Sequence, residues 1–141
     1  MYYVLLVSHG EFAPGLHSAL KMIVGDRENV LSVSLKDGMG ADEYAANVRK
    51  LAAPLKKSDK IVMLADIIGG SPLTTAVNTL FELGISENVH CFGGMSLPMA
   101  LAAVLTGENL EGGSLSELIL NETKNAVQEF AITADSPEDD I

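Results

Sequence analysis

Apolar positions along the chain fall into two alternating rhythms. Four short runs are strand-like in length and in β-branched content: YYVLLV at 2–7, NVLSVSL at 29–35, KIVMLA at 60–65 and NVHCFG at 88–93. Between them the spacing turns helical, through Leu16, Leu20, Ile23 and Val24, then Tyr44, Val48, Leu51 and Leu55, then Leu73, Val77, Leu80 and Phe81. Strand alternating with helix predicts parallel pairing through right-handed crossovers. The expected fold is therefore a doubly wound, three-layer α/β sandwich around a four-stranded parallel sheet. The first and third runs are apolar almost throughout, as strands covered on both faces should be.

Beyond the fourth strand, SLPMALAAVL at 96–105 reads as a helix, and Gly112-Gly113 interrupt the chain. Ser114 is then expected to cap a last helix running to about Gln128, with Glu117 completing a capping box. Phe130-Ala131-Ile132-Thr133 could add a short strand, too small to be stable alone and so suited to pairing with another subunit. The expected organisation is one domain over 1–133 and an acidic, flexible tail over 134–141.

Composition narrows the function classes. A chain of 141 residues with 48% hydrophobic content is sized for one compact domain. Its apolar runs are too short to span a bilayer, and the N-terminus lacks the pattern of a secretory signal, which points to the cytoplasm. The formal charge of −10 disfavours a nucleic-acid partner. Four of the acids, Asp135, Glu138, Asp139 and Asp140, lie in the tail, and the remainder is still acidic. The single cysteine, Cys91, can form no internal disulfide and reads as a small buried strand residue rather than a nucleophile.

Open α/β sheets place their sites beyond the carboxyl ends of the strands. Those ends are Ser8-His9-Gly10, Lys36-Asp37-Gly38, Asp66 followed by Gly69-Gly70-Ser71-Pro72, and Gly93-Gly94-Met95. His9 sits on a rigid strand end, and alone it could equally be a packing residue. Asp66 alone could be a turn carboxylate. Together, on neighbouring strands, a carboxylate would fix the imidazole tautomer and leave the other ring nitrogen as nucleophile or base. Ser71 is expected as an N-cap and Pro72 as the first helical residue, where its missing N–H costs nothing. Free N–H groups at that helix start would attract an anion, and Gly69 and Gly70 would let it approach the backbone. His9, Asp66 and this helix start together suggest a histidine that carries a phosphoryl group.

Other chemistries fit less well. The glycines spell neither GxxxxGK[ST] nor GxGxxG. The GxSxG elbow is absent, although Ser71, His9 and Asp66 could imitate a hydrolase triad on paper. His17 and His90 fall away from the expected edge and read as structural or surface residues, so no metal or other cofactor is expected. Met95 and Met99 read as an apolar rim or subunit contact.

At these residues the chain resembles the mannose-family EIIA proteins of the bacterial phosphoenolpyruvate-dependent sugar phosphotransferase system. The likeness is carried by Ser8-His9-Gly10, Asp66-x-x-Gly69-Gly70-Ser71-Pro72 and Gly94-Met95-Ser96-Leu97-Pro98-Met99, and their order fits essentially the whole chain. The resemblance implies that His9 accepts a phosphoryl group from the phosphocarrier HPr and passes it to an EIIB partner. It implies that Asp66 orients the imidazole, that Ser71, Gly70 and Gly69 hold the phosphoryl group, and that Met95, Pro98 and Met99 are partner or dimer contacts. It further implies a homodimer exchanging a C-terminal strand, an indirect link to a membrane EIIC/EIID transporter, and an EIIB carried on a separate chain. Thr74 and Ser96 depart from the family, which often has Asn at both positions. Two alternatives are a non-catalytic regulatory module of the same fold and the phosphoryl-donor subunit of a dihydroxyacetone kinase. The intact GGSP segment argues against the second. A small anion-binding hydrolase is a further possibility, distinguished by loss of phosphate to water.

Overall fold

The computed structural model describes residues 1–133; the acidic segment 134–141 lies outside the described residues. Elements alternate as the apolar rhythm requires: β1 (Tyr2–His9), α1 (Phe12–Val24), β2 (Val30–Leu35), α2 (Ala41–Leu51), β3 (Lys60–Ala65), α3 (Ser71–Glu82), β4 (Val89–Phe92), α4 (Leu97–Thr106), a single 3-10 turn (Gly107–Asn109) and α5 (Gly112–Asn125). All strand pairings are parallel, in the order β2-β1-β3-β4. The chain winds from β1 to β2 on one side and then crosses to β3 on the other. The β1/β3 seam is thus the switch point, and Val7 pairs with Ala65 just before both strands end.

Two cores flank the sheet. Even-numbered residues of β1 (Tyr2, Val4, Leu6) pack with Leu16 and Leu20 of α1, Met99 and Ala103 of α4, and Leu115 and Ile119 of α5. Odd-numbered residues (Tyr3, Leu5, Val7) pack with Tyr44 and Val48 of α2 and with Leu73, Ala76 and Leu80 of α3. This is the period-2 alternation of a strand covered on both faces. β1 is buried through Ser8, and every residue of β3 is buried. β4 lies at the edge, and there Cys91 is exposed instead of buried. Among the described residues no strand neighbours its outer side.

Three boundaries differ from the sequence expectation. Gly70, not Ser71, is the N-cap of α3, which makes Ser71 the first helical residue and Pro72 the second. The extended backbone of Gly70 already accepts the helix's opening bond, from the Thr74 N–H at 3.0 Å. α5 begins at Gly112, whose φ of +51° turns the chain into the helix, and ends at Asn125. Ser114 therefore lies in the first turn, donating its N–H to the Glu111 carbonyl at 3.1 Å, and the capping box does not form. Finally, residues 130–133 form no strand in the single chain; Phe130 and Ile132 are 62% and 88% exposed.

The end of the sheet opposite the switch point is closed by polar groups. The N-terminal ammonium meets Asp59 at 3.1 Å. The buried Lys60 ammonium donates to the carbonyls of Gly107 at 2.7 Å and of Leu110, and lies 5.3 Å from the centre of the Tyr2 ring. The Tyr2 hydroxyl donates to the Ala103 carbonyl at 2.6 Å. Lysine and tyrosine thus tie the end of α4 and the following turn to the first residues of β3 and β1.

Candidate functional site

At the carboxyl end of the sheet, β1 and β3 bring His9 and Asp66 together. His9 is the last residue of β1, after seven buried ones, so its backbone is fixed while its side chain is 48% exposed. Ser8 anchors the turn beneath it. Its buried hydroxyl accepts the Ala13 N–H at 2.7 Å and donates to the His9 carbonyl at 3.0 Å, tying the start of α1 to the end of β1. Gly10, at φ +56°, supplies the left-handed step that this sharp strand-to-helix turn needs.

One carboxylate oxygen of Asp66 accepts both the backbone N–H of His9 and a hydrogen bond from the His9 Nδ1, each at 2.9 Å. The other accepts the Ile67 N–H at 2.9 Å. Burial alone would raise the Asp66 carboxyl, but the backbone and ring bonds from His9, then the Ile67 bond, outweigh it and hold the group below the usual carboxylate range. An ionised Asp66 can only accept, so Nδ1 carries the proton and Nε2 presents its lone pair.

The start of α3 lies against the imidazole. A Cβ built on Gly70 would stand 3.4 Å from His9 Cε1, at van der Waals contact with the ring. Gly69 turns the loop at φ +78°. Because Gly70 is the cap, the exposed Ser71 hydroxyl makes no capping bond. The N–H groups of Ser71 and Leu73 have no acceptor within the helix, and Pro72 has none to offer. The opening of α3 therefore presents a hydroxyl, two backbone donors and the positive end of the helix.

The loop before it is seated from below. A Cβ on Gly93 would come 2.5 Å from the Ile68 Cβ, and the Met95 N–H donates to the Ala65 carbonyl at 2.9 Å. Three large apolar side chains nevertheless remain open around the site: Phe12, Ile67 and Ile68.

The expected residues thus separate. His9, Asp66, Gly70, Ser71 and the Gly69 turn converge on one edge. Met95 and Met99 do not form an exposed rim: both are buried in the core that α1, α4 and α5 share. Ser96 caps α4 by accepting the Met99 N–H at 3.3 Å, which sets the helix phase so that Met99 and Ala100 face inward. Pro98 is exposed and lines a groove between α4 and α5. His17 bonds Ser32 at 2.7 Å and His90 bonds Asn88 at 2.8 Å, both away from the edge. No cluster of metal-ligating side chains occurs among the described residues. Ser8 and Tyr44 were not singled out for the site from sequence. Ser8 had a signal, a hydroxyl four residues before the start of a helix; Tyr44 read only as one more apolar position.

The family model described as the PTS system fructose IIA component, EIIA-man, matches residues 3–133. The chain belongs to this family. A relative, the PTS system fructose-specific EIIA component of Bacillus subtilis, is 24% identical over 135 residues, covering 96% of this chain and 88% of its own length. The PTS system mannose-specific EIIAB component of Escherichia coli is 23% identical over 116 residues; the match covers 82% of this EIIA chain but only 34% of that longer protein. The fold matches an EIIA structure from Streptococcus agalactiae with a TM-score of 0.77 at 23% identity, over 92% of this chain and 97% of that one. It also matches a mannose/sorbose specific IIA subunit from Enterococcus faecalis, with a TM-score of 0.70 at 22% identity, over 95% and 98%. The protein is a mannose/fructose-family EIIA component of the phosphotransferase system. No helix among the described residues is long and apolar enough to cross a membrane.

Proposed function

We propose that this EIIA is a phosphohistidine carrier, taking a phosphoryl group from HPr on His9 Nε2 and passing it to an EIIB partner during coupled sugar uptake. The observation that carries the proposal is the 2.9 Å contact between His9 Nδ1 and Asp66, which leaves Nε2 free beside the start of α3.

In the forward step the Nε2 lone pair attacks phosphorus as the nitrogen–phosphorus bond of the donor's phosphohistidine breaks, and that bonding pair returns to the donor ring. The proton on Nδ1 stays against Asp66, so no proton need enter or leave. Asp66 balances the positive charge that the ring gains. The Ser71 hydroxyl and the free N–H groups at the start of α3 stabilise the equatorial oxygens, with Gly70 and Gly69 allowing the approach. Transfer to EIIB is the same step reversed onto a different acceptor. The exposed Phe12, Ile67 and Ile68 supply an apolar rim on which each partner would dock in turn. In this reading the EIIA works in the cytoplasm, supplying the EIIC/EIID transporter through EIIB.

The same reading makes the protein a homodimer. Residues 130–133 would pair with the uncovered side of β4 in a second copy, burying Phe130 and Ile132. Sedimentation of the full chain beside one ending at residue 126 checks this: the full chain should run as a dimer and the shorter one as a monomer.

The primary test feeds labelled phosphoenolpyruvate through Enzyme I and HPr to the wild type and to His9→Ala. Acid-labile label on the wild type alone, chased onto an EIIB, is the expected result. Label that never moves on would make the protein a regulatory acceptor. No label on folded wild type, with active Enzyme I and HPr, overturns the assignment.

A further inference from the structure

The start of α3 has to hold its donors at a fixed distance from His9, while the loop before it, tied by the Ile67 N–H and by Ile68 against Gly93, leaves most of its side chains open. Ile67, Ile68, Gly69 and Ser71 are all exposed, and Pro72 has no N–H with which to bond. Among the described residues, Tyr44 is the only one whose side chain donates a hydrogen bond to the first turn of α3: its hydroxyl reaches the Pro72 carbonyl at 2.8 Å. The ring is 1% exposed and belongs to the core that α2 and α3 share, so it cannot swing away.

We propose that Tyr44 is a positioning residue for phosphoryl transfer, its hydroxyl bond to Pro72 setting where the start of α3 stands relative to His9. This rests on the reading of His9 as the phosphoryl acceptor. The Pro72 carbonyl also belongs to the helical ladder, so the tyrosine bond adds direction to a group that has another partner. Losing it should therefore disturb placement more than stability. Burial, and after it the negative charge of Asp66, push the phenol well above its ordinary range, so the hydroxyl remains a donor wherever the protein is folded.

The test compares wild type, Tyr44→Phe and His9→Ala as full chains in rapid transfer from phosphorylated HPr. Removing the hydroxyl should lower the maximal transfer rate by roughly tenfold, since sub-ångström misplacement is costly at a reacting centre. The HPr concentration for half-maximal rate should not change, because the docking rim is untouched. The phosphorus NMR resonance of the phosphorylated protein should also shift, reporting altered donors around the group. Rates are measured at 10 °C, with folding checked by circular dichroism, so lost stability cannot pass for lost rate. A maximal rate within twofold of wild type with an unshifted resonance overturns the role of Tyr44. A wild type that takes no label overturns the reading of His9 instead, and the two failures are thereby distinguishable.

Discussion

The two ends of the sheet are built from similar charged parts and come to opposite states. At the amino end, Asp59 and Lys60 are both nearly buried, and their partners are the chain's own terminus and the carbonyls after α4. At the carboxyl end, Asp66 is 13% exposed while His9, its partner, is 48% exposed. The first end uses its polar groups on itself. The second leaves an imidazole nitrogen, a hydroxyl and the donors of a helix start facing outward. Buried polar groups that find all their partners hold a fold together, whereas groups paired on one side only are available for chemistry. The difference follows from winding: the helices leave the β1/β3 seam on opposite faces, so a crevice opens at the carboxyl end and not at the other.

The comparison breaks most sharply at His9. His9→Ala should reduce phosphoryl transfer by more than about a thousandfold, the scale on which loss of a nucleophile is felt. Its melting temperature should stay close to wild type, since the ring is half exposed. A large loss of stability would mean that the carboxyl end is structural after all.

Lys60→Met reverses the expectation. It removes the ammonium's bonds to the Gly107 and Leu110 carbonyls, of which Gly107 keeps the Leu110 N–H, at a cost of about 3 kcal/mol. Thermal unfolding should move down by roughly 10 °C. Transfer measured well below that transition should equal wild type. A slower rate with intact stability would show that the two ends are not separable.

The strands, the switch point and the meeting of His9 with Asp66 were legible in the sequence because they depend on local pattern. β1 and β3 read as unbroken apolar runs since both faces are covered, and the strand-end rule then points at the residues that follow them. What escaped depends on partners distant in sequence or on a single step of phase. Tyr44 and Pro72 lie 28 residues apart, and periodicity reports that the ring is buried but not where its hydroxyl goes. Lys60 reads as the polar start of a strand, and only the fold brings the turn after α4 over it. Met99 turned inward because Ser96 sets the phase of α4, and Met95, before the helix, is drawn to the end of β3 by its N–H bond to the Ala65 carbonyl. Gly70 displaced Ser71 as the cap by one residue, the ordinary uncertainty of a helix end. Residues 130–133 carry a strand-like composition, but a strand needs a neighbour.

Asp66→Asn probes the carboxyl end more gently. The amide keeps the shape, but it can donate as well as accept, so it no longer enforces the Nδ1–H tautomer and cannot balance charge on the ring. Transfer should fall about a hundredfold. The half-saturating HPr concentration should be unchanged. A loss confined to that concentration would place Asp66 in docking instead.

The smallest effect, and the finest comparison, sets Asp59 against Asp66 by pH. Both carboxyls lie below their usual range. For Asp59, burial pushes upward, but the Lys56 N–H at 2.7 Å and the N-terminal ammonium outweigh it. For a depressed carboxyl, the folded state favours the ionised form, so its stabilisation is complete above the unfolded value of about 3.9 and is lost as pH falls through the lower folded value. An Asn variant lacks that stabilisation at every pH. The stability gap between wild type and Asp59→Asn should therefore be constant from pH 6 down to about 4, then narrow under more acidic conditions. Asp66→Asn should show the same closing gap in urea unfolding across pH. Only Asp66→Asn should also lose transfer, since Asp59 sits at the far end of the sheet. Equal transfer losses in the two variants would erase the division between a self-satisfied edge and an outward-facing one.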